Sequence, residues 1–383
     1  MATQITPLIK ALQEKISAAN TTNTSAIDLY YMLELSKSID GGCTVQSYAN
    51  TSAFPAASST SNRIAFNETN RTLYFNDGSA WKSYDLTVPA ANVPAGASSY
   101  TFQGSNYGYT SGGATVNYIQ KYSYTSDANA TDSGDLTIGR YGPSGQSSSD
   151  YGYTSGGSGS PANGTFDKFP FASGGNASSV GSLATAQYAS QGQSSSDNGY
   201  VSGGSAPSNV IQKFSFTSDG NATDVGDLTV ARYYGASQSS SDNGYTSGGN
   251  YPGGYSNTID KFPFATDANA TDVGDLSAGV GYGVAGQSSS TYGYRTGGYD
   301  GSRYNTIEKF PFASGGNATD VGDLIAVLAS TSGSSSTEYG YTAGGYSPPS
   351  VNTIQKFSFT SDGNASDVAD LVYAVIYTAG QQY

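Results

Sequence analysis

A pair of adjacent glycines recurs through most of the chain, at Gly112-Gly113, Gly156-Gly157, Gly203-Gly204, Gly248-Gly249, Gly297-Gly298 and Gly344-Gly345. The intervals are 44, 47, 45, 49 and 47 residues. A period of that length marks an array of supersecondary units, each of which buries its core only against its neighbours. Two other signals keep the same period. One is a Lys-aromatic-x-aromatic run at Lys121, Lys168, Lys213, Lys261, Lys309 and Lys356, and the other an Asn-Ala-Thr/Ser triplet at Asn129, Asn176, Asn221, Asn269, Asn317 and Asn364.

The whole chain has 50 Gly, 13% aromatic residues and only 12% charged residues. The array shows no helical period, only short aromatic runs broken by turn residues, which is an all-β pattern. In one unit the residues predict a first strand over Tyr233 to Ser239, a second over Tyr245 to Gly248, a third over Thr258 to Ala265 and a fourth ending at Asp275-Leu276. Four short antiparallel strands per repeat make a propeller blade. The chain ends in YAVIYTAGQQY (Tyr373 to Tyr383), which matches the start of a further unit (compare Tyr282 to Gln287) and then stops. That orphan strand is expected to complete the blade of Gly112-Gly113, closing a ring of six blades and removing two sheet edges.

The second strand ending in Gly-Gly, the aromatic third strand and the Leu-x-x-x-Arg approach to the next unit (Leu136 with Arg140, Leu228 with Arg232) resemble the kelch repeat over the whole of Tyr100 to Tyr383. The tryptophan which that repeat carries on its fourth strand is absent here. Ser240-x-Asp242-x-Gly244-x-Thr246 likewise resembles the Asp-box hairpin of sialidase propellers, again without its tryptophan, and in that family the hairpin is structural.

Ahead of the array the pattern changes. Residues 1–43 are expected to form a short α-helical arm for docking or oligomerisation. Thr6 is the cap, Pro7 the first helical position, and Leu8, Ile9, Leu12 and Ile16 form one apolar stripe. A second helix from Ser25 stops at Gly41-Gly42. Residues 44–97 hold a small β module and a Pro/Ala-rich linker into the propeller of residues 98–383. Thr44 to Thr60 reads as polar and irregular, whereas Asn62 to Tyr84 reads as an antiparallel meander anchored by Trp81. Its form, Ile64-x-Phe66, Thr69, Leu73-Tyr74-Phe75, Asp77-Gly78-Ser79 and Trp81, resembles a short module of phage tail-fibre and appendage proteins.

Strand direction sorts the loops. Those after each Gly-Gly share one face with the loops between units, and they vary from copy to copy: ATVNY, SGSPANG, SAPSN, NYPGGYSN, YDGSRYN and YSPPSVN. The near-constant Ser-Ser-Asp and Asn-Ala-Thr turns lie on the other face. Variation confined to one face is how repeat proteins carry a binding surface. Tyr251, Tyr255, Tyr299, Asp300, Arg303, Tyr304 and Tyr346 are the candidate ligand-binding residues there, because tyrosines supply rigid amphipathic contacts.

Several function classes are disfavoured. A net charge of −13 with Lys spread one per repeat is ill suited to nucleic acid. There is no histidine and a single cysteine, Cys43, which removes the commonest general base and metal ligand. Neither a signal peptide nor a membrane span is apparent, so the Asn-Ala-Thr triplets are expected to be turns, not glycosylation sites. Oxygen ligands recur around Asp219, Asn221, Asp224 and Asp227, yet the glycine and bidentate glutamate of an EF-hand are missing. No cofactor, metal or catalytic residue is expected. The resemblances imply a tail-fibre or appendage protein of a tailed, marine cyanophage-like virion, present in multiple copies. Its arm would bind other virion proteins and its propeller host-surface saccharide or protein. The alternatives are a particle decoration or adaptor without a host ligand, and a polysaccharide-degrading enzyme. Each lysine of the third strand is expected to pair with an aspartate of its own blade, at Asp135, Asp227, Asp275, Asp323 or Asp370.

Overall fold

The computed structural model describes residues 103–158, 164–205 and 207–383, and the backbone of four short strands between 46 and 84. The chain divides into two units, Met1–Ser99 and Tyr100–Tyr383. The helices expected over residues 1–43 lie outside the described residues. In the first unit the strands Ile64–Asn67, Thr72–Asn76 and Trp81–Tyr84 pair antiparallel in sequence order, as the meander pattern requires. Gln46–Tyr48, in the stretch read as irregular, adds a parallel strand to the free edge of Ile64–Asn67. Three residues are too few for an alternation to register as a strand.

The second unit is a six-bladed β-propeller, each blade a four-stranded antiparallel sheet. No helix occurs among its described residues. Blade four shows the plan: Ala236–Ser239 innermost, then Asn243–Ser247, Thr258–Pro263 and, outermost, Thr271–Asp275. The first strand begins at Ala236, three residues later than the pattern suggests, because Tyr233 and Tyr234 turn across the axis. The ring closes as expected: Ala379–Gln382 pairs antiparallel with Tyr107–Ser111, so the innermost strand of blade one comes from the C-terminus. The double glycine has a steric cause. In all six copies both residues have positive φ, for example 67° at Gly248 and 102° at Gly249, a region closed to most side chains. There the Gly248 N–H reaches the Thr258 carbonyl (3.1 Å) and the Gly249 N–H the Val280 carbonyl (2.7 Å), tying the second strand to the third and to the loop that leads to blade five.

Blades adhere through a repeated set of contacts, seen at the seam between blades four and five. Tyr245 packs on Phe310 and Phe312, with ring centroids 5.7 and 4.7 Å away, and its hydroxyl donates to the Phe312 carbonyl at 3.2 Å. The buried Gln238 amide donates to the Tyr294 carbonyl at 2.8 Å. Asn317 Oδ1 accepts from the Asp275 N–H (3.0 Å) while the Ala318 N–H donates back to the Asp275 carbonyl (2.7 Å). That reciprocal pair occurs at all six seams, with Asn129, Asn176, Asn221, Asn269 and Asn364 in the same place. The Asn-Ala-Thr triplet is thus an interblade clamp. At the closing seam Ser334 replaces the glutamine, and the Tyr122 hydroxyl, where other blades have Phe, meets its hydroxyl at 2.7 Å.

The lysines pair differently from expectation. Lys168, Lys213, Lys309 and Lys356 reach Asp219, Asp267, Asp362 and Asp127, each in the third-to-fourth-strand turn of the next blade. The expected partner, such as Asp227, instead spends its backbone on the asparagine clamp. Where the next blade carries Ser-Gly-Gly in place of the aspartate, no ion pair forms among the described residues: Lys121 lies 3.8 Å over the Tyr107 ring instead, and burial lowers its pKa. These pairs are half-exposed, so each contributes only about 0–1 kcal/mol, and the aromatic seams outweigh them.

Three arginines are buried ion-pair partners: Arg140 with Asp167 (2.8 Å), Arg232 with Asp260 (2.5 Å), and Arg295 with Glu308. The acid occupies one position of the third strand, where blades one, three and six have Gln120, Gln212 and Gln355. In every blade this side chain accepts a backbone N–H from the loop leaving the preceding blade, as Asp260 does from Thr229 (3.0 Å) and Gln355 from Ile325 (2.7 Å).

Candidate ligand-binding face

The innermost strands are packed so tightly that a Cβ added at Gly145 would lie 2.1 Å from the Gly380 carbonyl oxygen. The axis therefore holds only a cavity of about 90 Å³, lined by small and polar residues of those strands. It has no side chain from the variable loops. On the loop face the axis is roofed by one residue from each unit-to-unit loop: Gly142, Ala189, Tyr234, Tyr282, Ser330 and Tyr377. The five non-glycine members have φ between 50° and 60°, which costs about 1–2 kcal/mol for each. The cost is offset by hydrogen bonds running around the axis, N–H to carbonyl: Ala189 to Gly142 (2.7 Å), Tyr234 to Ala189 (2.7 Å), Ser330 to Tyr282 (3.2 Å), Tyr377 to Ser330 (2.9 Å) and Gly142 to Tyr377 (3.2 Å). At the remaining step an extra residue, Gly283, widens the loop, and the Tyr282 N–H donates to Asn250 Oδ1 at 3.2 Å.

Left-handed backbone at these positions gathers the phenols over the axis. Tyr234 lies 5.2 Å from Tyr377 and 5.4 Å from Tyr282, and Tyr141 lies 4.7 Å from Tyr377. The Tyr234 hydroxyl donates to that of Tyr141 at 3.3 Å. Burial pushes Tyr141 up to about 12 and Tyr234 higher still, so these hydroxyls remain protonated over the physiological range.

In blades two to six the residue after Gly-Gly pairs with the loop leading into its own blade, as Tyr299 does with Gly281 and Tyr346 with Ala329. Blades five and six place Tyr at that position, where the other four have Ala114, Ser158, Ser205 and Asn250. Between those two blades a cleft of about 200 Å³ opens, lined by Tyr282, Tyr299, Arg303, Ser330, Tyr346 and Tyr377. The Arg303 guanidinium stacks over Tyr346 at 4.7 Å and approaches Tyr299 at 5.7 Å. Its Nε is buried with no hydrogen-bond partner.

Of the residues singled out by sequence, Tyr299, Arg303 and Tyr346 meet in the cleft. Tyr255 stands at its border, 6.3 Å from Tyr282 edge to face. Tyr251 is on the exposed side of the hairpin Asn250–Tyr251 and Gly254–Tyr255. Asp300 and Tyr304 are engaged with each other: the phenol donates to the carboxylate at 2.7 Å, a bond that raises the Tyr304 pKa. Sequence reasoning missed Tyr282 and Tyr377, which were read as strand. The signal was the tyrosine recurring at Tyr234, Tyr282 and Tyr377, ahead of three of the six first strands.

Among the described residues no cluster of three or more His, Cys, Asp or Glu side chains could hold a metal ion. The acidic turns that resemble calcium loops by spacing use their oxygens on backbone N–H groups, as Asp224 does on Gly226 at 3.2 Å. No protein-family model matches this chain, and no curated protein matches it either.

Proposed function

We propose that this chain is a kelch-like propeller protein of a tailed-phage particle, a tail fibre or appendage whose loop face recognises the host surface. The observation that carries the recognition role is the cleft between blades five and six, where two variable loops and the unit-to-unit loops bring together tyrosines and an arginine with no acidic partner among the described residues. Two features support its use for binding. Every other arginine of the propeller is consumed in a buried ion pair, whereas the Arg303 guanidinium lies against the Tyr346 and Tyr299 rings with no carboxylate partner among the described residues. The described loops of this face contain a single carboxylate, Asp300, while glycoside hydrolysis ordinarily uses two flanking the scissile bond. The virion assignment is supported by the resemblance of Ile64 to Trp81 to the tail-fibre module, and the host-surface partner by the tyrosines of the cleft, whose apolar rings with polar hydroxyls suit packing on a sugar ring.

The test is direct. Fluorescently labelled protein should bind intact cyanobacterial cells saturably, and antibody against the propeller should decorate the tail of intact particles. Labelled protein that binds no cell in a broad host panel would overturn the recognition role, and reducing-sugar release from envelope polysaccharide would replace it with an enzyme.

A further inference from the structure

The propeller's charge is unevenly distributed. From Tyr100 onward, apart from the three buried pairs and Asp300, the acids lie in the first-to-second-strand turns, in the third-to-fourth-strand turns and on the outermost fourth strands, whose last residue, such as Asp275 opposite Thr258, stands at the end nearer the variable loops. Four of the third-strand lysines, Lys168, Lys213, Lys309 and Lys356, reach aspartates of the third-to-fourth-strand turns. The variable loops themselves are left almost uncharged, with Arg303 as their only cation among the described residues. A guanidinium is costly to place in a half-buried site unless it is paired. Among the described residues the Arg303 guanidinium meets no carboxylate, and its buried Nε has no hydrogen-bond partner. Asp300, three residues away, instead accepts the Tyr304 hydroxyl and, at 3.1 Å, the Ser302 N–H. The guanidinium carbon sits 4.7 Å over the Tyr346 ring, and Arg303 lines the cleft and offers there a planar fork of the kind that matches a carboxylate or sulfate bidentately.

We infer that this cleft binds a pyranose ring carrying one anionic group, a carboxylate or a sulfate ester. The sugar ring packs on the tyrosines and the anion pairs with Arg303. This rests on the recognition role proposed above and names its ligand class. The volume of about 200 Å³ suits one ring, not an extended chain. A polyanion would meet the acidic opposite face if it wrapped the particle, so recognition is confined to residues that enter the cleft from the loop side.

Saturation-transfer NMR on the full-length protein would use D-glucuronate, glucose 6-sulfate and D-glucose as probes. The anion adds a charge-assisted bond that glucose lacks, so at least one acidic sugar should bind roughly tenfold or more tightly than glucose. The two acidic probes separate carboxylate from sulfate. Arg303→Gln should abolish the preference with an unchanged melting temperature, Arg303→Lys should restore part of it, and Tyr346→Ala should weaken both acidic and neutral sugars. Equal binding of glucose, no binding of any probe, or a preference that survives Arg303→Gln would overturn the inference. Cell binding by the same wild-type protein is scored separately: cells bound with no acidic preference sinks this inference alone, and acidic preference without cell binding sinks only the recognition role.

Discussion

The buried pair of Arg232 and Asp260 allows a quantitative test of how the blades are joined. Both side chains are fully buried, and besides Asp260 the guanidinium donates to the Thr258 and Thr246 carbonyls at 3.0 and 3.2 Å. Burial lowers the Arg232 pKa, and Asp260 opposes that shift. Asp260→Gln would keep the bond from the Thr229 N–H but leave the guanidinium without its counter-charge. Removing one partner of such a pair costs about 3–5 kcal/mol. A domain of this size loses roughly 2–4 °C of Tm per kcal/mol, so a fall on the order of 10 °C is expected. The chain itself supplies the compensating change. At the equivalent seam between blades five and six the two positions are the buried Leu328 and Gln355, where Gln355 accepts the Ile325 N–H at 2.7 Å. Arg232→Leu with Asp260→Gln copies that solution, and replacing a buried pair by well-packed neutral groups is often neutral or better. The double variant should therefore recover most of the loss, with a coupling of about 2 kcal/mol or more in equilibrium unfolding. Additive single effects would show that the pair is not what binds these two positions together, and that the seams are independent of charge.

Two further outcomes follow from the same geometry. Deleting Ala379 to Tyr383 removes the innermost strand of blade one and bares the edge of Tyr107–Ser111. The truncated protein should oligomerise or unfold, and a monomer with an unchanged melting transition in light scattering and calorimetry would refute ring closure as a source of stability. Burial pushes Tyr200, Tyr245 and Tyr294 up to about 12, whereas an unfolded tyrosine titrates near 10. The folded state keeps protons that the unfolded state releases. Their contribution is therefore complete below about pH 10 and is lost as pH rises toward 12, at up to about 1.4 kcal/mol per residue per unit. Denaturant melts followed by tyrosinate absorbance should show that decline. A stability flat from pH 9 to 12 would mean that these phenols reach solvent.

What the sequence determined by itself was the four-strand plan of one blade, and the closure of the ring. The glycine pair at Gly248-Gly249 marks a backbone conformation that only glycine adopts freely. The alternation through Thr258 to Phe264 places Ile259 and Phe262 on opposite faces, where they pack against different blades. The unmatched strand at the C-terminus can be satisfied only by the first blade. Strand direction likewise separated the variable loops from the constant turns, so Tyr299, Arg303 and Tyr346 were legible as members of one face. Tertiary structure alone decided the lateral contacts between blades. Lys213 meets Asp267, not Asp227, and Asn269 serves as a clamp where its spacing suggested only a turn. Tyr282 and Tyr377 join residues of other repeats around the cleft. The physical reason is that periodicity reports which side of a strand a residue occupies. The partner across a seam, some 45 residues away along the chain, depends on how each sheet is set against the next, and on a left-handed backbone at Tyr234, Tyr282 and Tyr377 that hydrogen bonds from other repeats hold in place.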